Sequence, residues 1–534
     1  MKRYIKTFSA LLLAAALAFG AFAPAAFAAS AKTITGTYTY TCSAADAMGL
    51  AEEAKSVKGT FRYSDAWFAA PSTQYNHELA RMSLALQMTC WTAADAVNAD
   101  NENSPKLDGT GRTRAAAYVH QLYKDLGFTP LRYVRYDVPL ADESDKVAWA
   151  MAEKRVTLDG KACVILSVSM RGGIYGGEWV SNGNVGNTDA HAGFKAASKE
   201  LIDEIGKQVD SYPKDLCVKL WINGYSRSGS VGNLLAGALD KDIAAGRSRL
   251  VKNDLFCYNF AVPLCTKDRK ANTDTFNNIF NIINPVDVVN IAPFRGWGFK
   301  RYGVEKFLDF LEPGAQYDKL NAQYVKLFQG IDEEEFTLHL VTWDHFKVLY
   351  LINAIAPSFM GSTAELMGFQ EGMMNLIRSF FVQRILTDDV ADGNWKAVYD
   401  DIFGKDDPLW NPVYQVCSAL VLPVNAPVEL FGGKPNTIDP GLLSMIFCAL
   451  SKVMGAFAQR PPNPLHIIAS LPCVAVSVVR FATVGSAGGD EGEEAQGFTD
   501  NIIVAHSPES YTVLMGRPES EAFGNGEIKG MKVT

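Results

Sequence analysis

Between Cys163 and Pro285 the spacing of apolar positions changes repeatedly from a strand period to a helix period. Cys163-Val-Ile-Leu-Ser-Val-Ser-Met170 is a nearly continuous apolar run, the pattern of a strand covered on both faces. Phe194, Ala197, Leu201, Ile205 and Val209 then recur every three or four residues, which predicts one buried face of a helix. Cys217-Val-Lys-Leu-Trp-Ile-Asn223 predicts a second strand, and residues 226–239 a second helix. Two more strands follow at 255–261 and 279–283. Strand, helix, strand, helix, strand implies parallel β-α-β units: an α/β fold with a doubly wound, mostly parallel sheet and helices on both faces.

The flanking regions read differently. The Thr- and Tyr-rich stretch 33–42 suits an edge strand or hairpin. Residues 77–93 and 115–126 carry helical spacing, and Gly127 stops the second of these. From Val304 to Gly489 helical stretches such as 373–386 dominate, with further apolar runs such as 442–457. The apolar run 465–484 is broken by Pro472 and Arg480, which favours a buried cap helix over a membrane span. A Gly- and acid-rich linker at 485–494 then returns the chain to a short strand, 501–504. The expected organisation is a leader at 1–28, an N-terminal segment and core at 29–303, a mainly helical capping insertion at 304–489, and a return to the core at 490–534.

The leader changes the picture of where the protein works. Lys2, Arg3 and Lys6 precede an apolar stretch at 11–23, Pro24 breaks it, and Ala26-Phe27-Ala28 has the small-x-small form that signal peptidase accepts. This is the layout of a Sec signal peptide cut after Ala28, and the mature chain is expected to be exported, either secreted or at the cell surface. The competing reading, an uncleaved anchor, has an apolar core short for a bilayer. The formal net charge is −8, and Lys and Arg gather into no stripe, so a nucleic-acid partner is not expected. Nine scattered cysteines form no Cys-x-x-Cys pair and no His cluster has ligand spacing, so neither a metal, a cofactor nor a disulfide scaffold is expected.

The strongest chemical signal is Trp221-Ile-Asn-Gly224-Tyr225-Ser226-Arg227-Ser228-Gly229. A strand runs into a sharp turn bearing a serine, and a helix begins at once. Small residues must flank such a nucleophile, because the backbone turns tightly there. The usual form is Gly-x-Ser-x-Gly; here Ser228 holds the last position and Gly229 follows. The helix start lends positive potential to a developing oxyanion, with the Arg227 N–H as one donor. A serine needs a base and the base an orienting carboxylate. Asp287 follows the strand 279–283, whereas Asp254 and Asp274 precede strands. Of seven histidines, His506 follows 501–504 in a loop-like context near the C-terminus. His77, His339, His345 and His466 read as structural and His120 as a helix-surface residue, leaving His191 as the main rival. The Gly-rich stretch after Met170 offers a second oxyanion donor, the Gly173 N–H.

These segments resemble the class 3 lipase family, α/β-hydrolases that include secreted fungal triacylglycerol lipases. Arg171-Gly172-Gly173 with Glu178-Trp179 is similar to its oxyanion loop. His191-Ala-Gly-Phe194 is similar to its His-x-Gly-Phe, which makes His191 structural. Gly224-Tyr225-Ser226 is similar to its Gly-His-Ser, with Tyr225 in place of His. Asn284-Pro285-Val286-Asp287-Val288-Val289-Asn290 is similar to its acid segment, with Asn290 in place of Pro. His506 with Tyr511 is similar to its terminal His and aromatic. Many members carry Ser or Thr at the Gly173 position, adding a hydroxyl to the oxyanion hole. The resemblance covers roughly 163–293 and the chain end. It implies a Ser226-Asp287-His506 triad cleaving carboxylic esters, lipid esters foremost, with a lipid or ester substrate and transient contact with a lipid interface. Another serine hydrolase (short-chain esterase, acyltransferase or peptidase) and a non-catalytic binding protein on the same fold remain alternatives, and no oligomeric state is assigned.

Overall fold

The computed structural model describes residues 33–42, 56–91, 116–136, 145–173, 189–293, 298–328, 338–342 and 498–528, with short pieces at 106–107, 111–112, 178, 181–182, 414–415, 418–419 and 531–532. The leader, the stretches 373–386, 442–457 and 465–484, the linker 485–494, His345 and His466 lie outside the described residues.

The chain opens with β1 (Ile34–Thr41) and β2 (Ser56–Tyr63), an antiparallel hairpin separate from the main sheet. Then come α1 (His77–Cys90), α2 (Ala117–Asp125), β3 (Thr129–Val134), β4 (Trp149–Leu158) and β5 (Lys161–Met170). The β-α alternation follows as α3 (Ala192–Ser211), β6 (Cys217–Tyr225), α4 (Arg227–Ala244), β7 (Leu255–Phe260), β8 (Ile279–Ile283) and β9 (Val304–Phe307). After α5 (Ala315–Lys326), the described C-terminal segment supplies α6 (Phe498–His506) and α7 (Pro508–Met515).

Among the described residues seven strands form one sheet in the order β9-β8-β7-β6-β5-β4-β3. From β5 to β9 every pairing is parallel, and β4 and β3 extend the sheet antiparallel. This mixed, mostly parallel sheet with helices on both sides is an α/β-hydrolase-like fold. Two details differ from the sequence reading. Strands β3 and β4 were not expected; Pro130 in the first and the consecutive charges Glu153-Lys154-Arg155 in the second break the strand period. The sheet also continues past residue 303, because β9 pairs with β8 inside the stretch assigned to the insertion.

Alternation along the strands divides the core in two. Cys163, Ile165, Trp221, Phe256 and Tyr258 face the side covered by α1, α2 and the β1–β2 hairpin. Val164, Leu166, Val168, Leu220 and Ile222 face α3 and α4. Successive strand side chains point to opposite faces, so a strand sandwiched between helix layers must be apolar throughout. Trp221 is fully buried, and its indole N–H donates to Ser83 Oγ on α1 at 2.8 Å. Truncating it to Ala would cost about 3–5 kcal/mol. Cys90, Cys163, Cys217, Cys257 and Cys265 are free thiols. Among the described residues no helix is long and apolar enough to cross a membrane.

Candidate active site

β6 ends at Tyr225, and Ser226 turns the chain with φ 55° and ψ −128° before α4 begins at Arg227. Such a backbone costs of order 1–3 kcal/mol in a non-glycine residue and persists only where its surroundings impose it. Those surroundings are visible. The Ser226 N–H donates to Phe260 O on β7 at 2.9 Å. Gly224 has no room for a side chain: a Cβ there would lie 2.3 Å from Ser228 O. Ser228, where the common pattern has Gly, is put to use. Its hydroxyl accepts from Tyr225 N at 2.8 Å and lies 2.9 Å from Met170 O, so it closes the turn and ties it to the end of β5.

Ser226, His506 and Asp287 meet at the carboxyl ends of the strands. His506 Nε2 lies 2.8 Å from Ser226 Oγ, and His506 Nδ1 lies 2.8 Å from Asp287 Oδ2. Asp287 is buried, whereas the His506 side chain keeps 17% of its surface exposed, so the imidazole is reachable and its carboxylate partner is not. The carboxylate is fully engaged. Oδ1 accepts from Val289 N at 2.9 Å, capping the short helix 288–291, and Oδ2 also accepts from Tyr511 Oη at 3.0 Å. Tyr511 Oη in turn accepts from Asn284 N and from Asn290 Nδ2, each at 3.0 Å, so its one donor and two acceptor sites are all used. Burial raises the Tyr511 pKa well above the ordinary phenol value, with Asp287 adding to it, so the hydroxyl stays a donor. Asn290, where the family pattern has Pro, holds this arrangement through its amide.

The structure corrects the environment expected for His506. Residues 501–504 belong to α6 rather than to a strand, and the loop-like stretch after His506 is α7. Ser507 caps α7 and Pro508 sits in its first turn, where a missing N–H does no harm. His506 is therefore the last residue of α6, and the carbonyls of that helix end find partners. Val504 O accepts from Ser507 Oγ and Ser510 Oγ, Ala505 O from Asn284 Nδ2 at 2.9 Å, and His506 O from Tyr225 Oη at 2.8 Å.

Gly173 lies beside α4: a Cβ on it would stand 3.7 Å from Arg227 Cδ. Arg171 and Glu178 are both fully buried with 3.7 Å between them, and Trp179 falls outside the described residues. The rivals lie elsewhere. His191 is buried, stacked on Phe194 with ring centroids 3.7 Å apart, and Nε2 donates to Asn182 O at 2.9 Å. Burial, with help from the Arg227 charge, pushes its pKa down to about 3, so it is neutral. His120 is not a surface residue; it is buried against Tyr133, whose hydroxyl it meets at 2.9 Å. His77 opens α1 and meets Met515 O and Arg517 O, and His339 contacts Asn321. Asp254 pairs with Lys219 at 2.6 Å near the start of β6, at the opposite end of that strand from Ser226. Sequence reasoning missed the supporting roles of Tyr225, Asn284 and Asn290, whose partners lie over two hundred positions away or depend on Tyr511. Among the described residues no cluster of His, Cys, Asp or Glu could hold a metal ion.

No protein-family model and no curated protein matches the chain. Among solved structures it is similar to a fungal lipase in complex with an inhibitor, at 17% identity over 43% of this chain and 79% of that one, with a TM-score of 0.30. It is also similar to the mono- and diacylglycerol lipase from Aspergillus oryzae, at 16% identity over 45% of this chain and 83% of that one, TM-score 0.30. A Rhizomucor miehei lipase–propeptide complex aligns at 17% identity over 43% of this chain and 66% of that one, TM-score 0.29.

Proposed function

We propose that the chain is an exported serine hydrolase that cleaves carboxylic esters, with Ser226 as nucleophile, His506 as base and Asp287 as the orienting acid. The observation that carries this is the unbroken contact from Ser226 Oγ through His506 to Asp287, at 2.8 Å on each side, on a strained strand-to-helix turn. In the reaction, His506 Nε2 takes the Ser226 proton as Oγ bonds to the ester carbonyl carbon. The carbonyl electrons move onto oxygen, where the N–H groups of Arg227 and Gly173 hold the charge. Collapse expels the alcohol, which leaves with the proton from His506, and water then releases the acid by the same steps. Asp287 fixes the imidazole tautomer and favours its charged form. The preference for lipid esters rests on the sequence resemblance, and export rests on the leader pattern.

The test is labelling of purified protein with a fluorophosphonate, beside Ser226→Ala and His506→Ala. Labelling lost in both folded variants supports the reading, and each change should cost about 10⁴- to 10⁶-fold in rate. Folded wild type that takes no label, or label that survives Ser226→Ala, overturns it. An ester series of increasing acyl length then separates a lipase from a short-chain esterase.

A further inference from the structure

Arg227 follows the nucleophile directly, and its side chain is fully buried at the first position of α4. That is a costly place for a guanidinium. Burying the charge is expensive, and the positive end of a helix repels it. An apolar side chain of similar volume would fill the same space more cheaply if packing were all that mattered.

The guanidinium reaches the segment that carries Gly173. The Arg227 stem lies against Gly173, 3.7 Å from where a Cβ would stand. Its Nη2 donates to Ser181 Oγ at 2.8 Å, and that hydroxyl donates to Asp145 Oδ1 at 2.9 Å. The Phe194 ring of α3 lies 5.9 Å from the guanidinium carbon. Ser181 is itself wedged against Gly193, where a Cβ would stand 2.5 Å from both Ser181 O and Ser181 Oγ. The neighbouring Asn182 O is held by His191 Nε2. His191 and Gly193 thus form a seat for the helical residues 181–182, and Arg227 clamps them from the nucleophile's side.

We propose that the Arg227 side chain is a positioning residue that locks the Gly173 segment to the nucleophile's helix, so that one residue organises both oxyanion donors. Its own backbone N–H faces the reacting carbonyl from α4, while its side chain sets the distance to the Gly173 N–H across the site. The proposal rests on the serine-hydrolase reading for its kinetic consequence, and on geometry alone for the clamp.

The test compares Arg227→Met, Arg227→Lys and Ser181→Ala with wild type. A positioning role lowers kcat about 10- to 100-fold in Arg227→Met with KM little changed, because donors a fraction of an ångström out of place fail only in the transition state. Affinity for a boronic acid, whose serine adduct is tetrahedral and anionic, should fall by the same factor. Arg227→Lys should recover part of the loss. Ser181→Ala should show a smaller loss that does not add to that of Arg227→Met. Amide hydrogen exchange at Gly173 should quicken in Arg227→Met. A folded Arg227→Met with kcat within about twofold of wild type and unchanged exchange overturns the proposal. If wild type neither labels nor cleaves esters, the hydrolase reading has failed, and exchange at Gly173 still decides the clamp. Should Arg227→Met not fold, the Lys and Ser181 variants carry the same comparison.

Discussion

The hydroxyl of Tyr225 donates to the main-chain carbonyl of His506 across 2.8 Å, though 281 positions separate the two residues. Tyr225, the residue before Ser226, therefore holds the backbone of His506. The rings reinforce the link, with Tyr225 lying edge-on to Tyr511 at 5.4 Å between centroids. Tyr225→Phe keeps the ring and removes the donor, leaving a carbonyl at the end of α6 without its partner. We expect a loss of about 1–2 kcal/mol in stability and a several-fold lower kcat, read by urea unfolding and ester hydrolysis.

Tyr511→Phe tests the carboxylate's other support. It removes a bond to Asp287 Oδ2 and strands the Asn284 N–H and Asn290 amide that the hydroxyl accepts. The expected outcome is a stability loss of about 2–3 kcal/mol and a roughly tenfold fall in kcat. Phosphonylation of Ser226 should slow in parallel, because a carboxylate less firmly held orients the imidazole less well.

Two glycines of the site should answer oppositely to substitution. Gly224→Ala would push a methyl to within 2.3 Å of a backbone oxygen, so the elbow must distort. Soluble protein should be scarce and its labelling lost. At Gly173 the nearest described neighbour to an added Cβ, Arg227 Cδ, is 3.7 Å away, which is ordinary contact. Gly173→Ser should fold normally and keep or raise kcat, up to about tenfold, by adding a hydroxyl donor for the oxyanion. A folded but inactive Gly173→Ser would remove Gly173 from the oxyanion hole.

Buried His191 should make the fold acid-sensitive. Its native pKa, pushed down to about 3, lies below the ordinary value of 6.5. Between those values the unfolded chain binds a proton that the native state refuses. Stability from this group is therefore whole above pH 6.5 and is lost as pH falls towards 3, on the order of 5 kcal/mol in all. Urea midpoints measured at pH 7.5 and 4.5 should differ less for His191→Gln than for wild type.

The local elements with strong periods were legible in the chain itself. The strands at Cys163, Cys217, Leu255 and Ile279 and the helices between them came from apolar spacing, because a strand covered on both faces has few other ways to be written. Ser226 was legible because a strained turn admits few neighbours, as the clash at Gly224 demonstrates. Residues 501–504 read as a strand but are helical, since the apolar run Ile502-Ile503-Val504 is too short to have a period that distinguishes the two. His120 reads as a surface residue because what covers it, the β1–β2 hairpin and the edge strand β3, leaves weak local patterns in the sequence.

Chain order and residue type by themselves determined the α/β core, the serine on its turn, and the candidate acid and histidine that follow it. Only the tertiary structure decided that these three side chains touch, and that Tyr225, Asn284, Tyr511 and Arg227 hold them and their surroundings in place. Backbone preference acts over a few residues and leaves its mark in sequence. A hydrogen bond spanning 281 positions depends on how whole layers pack, and no window of sequence contains it.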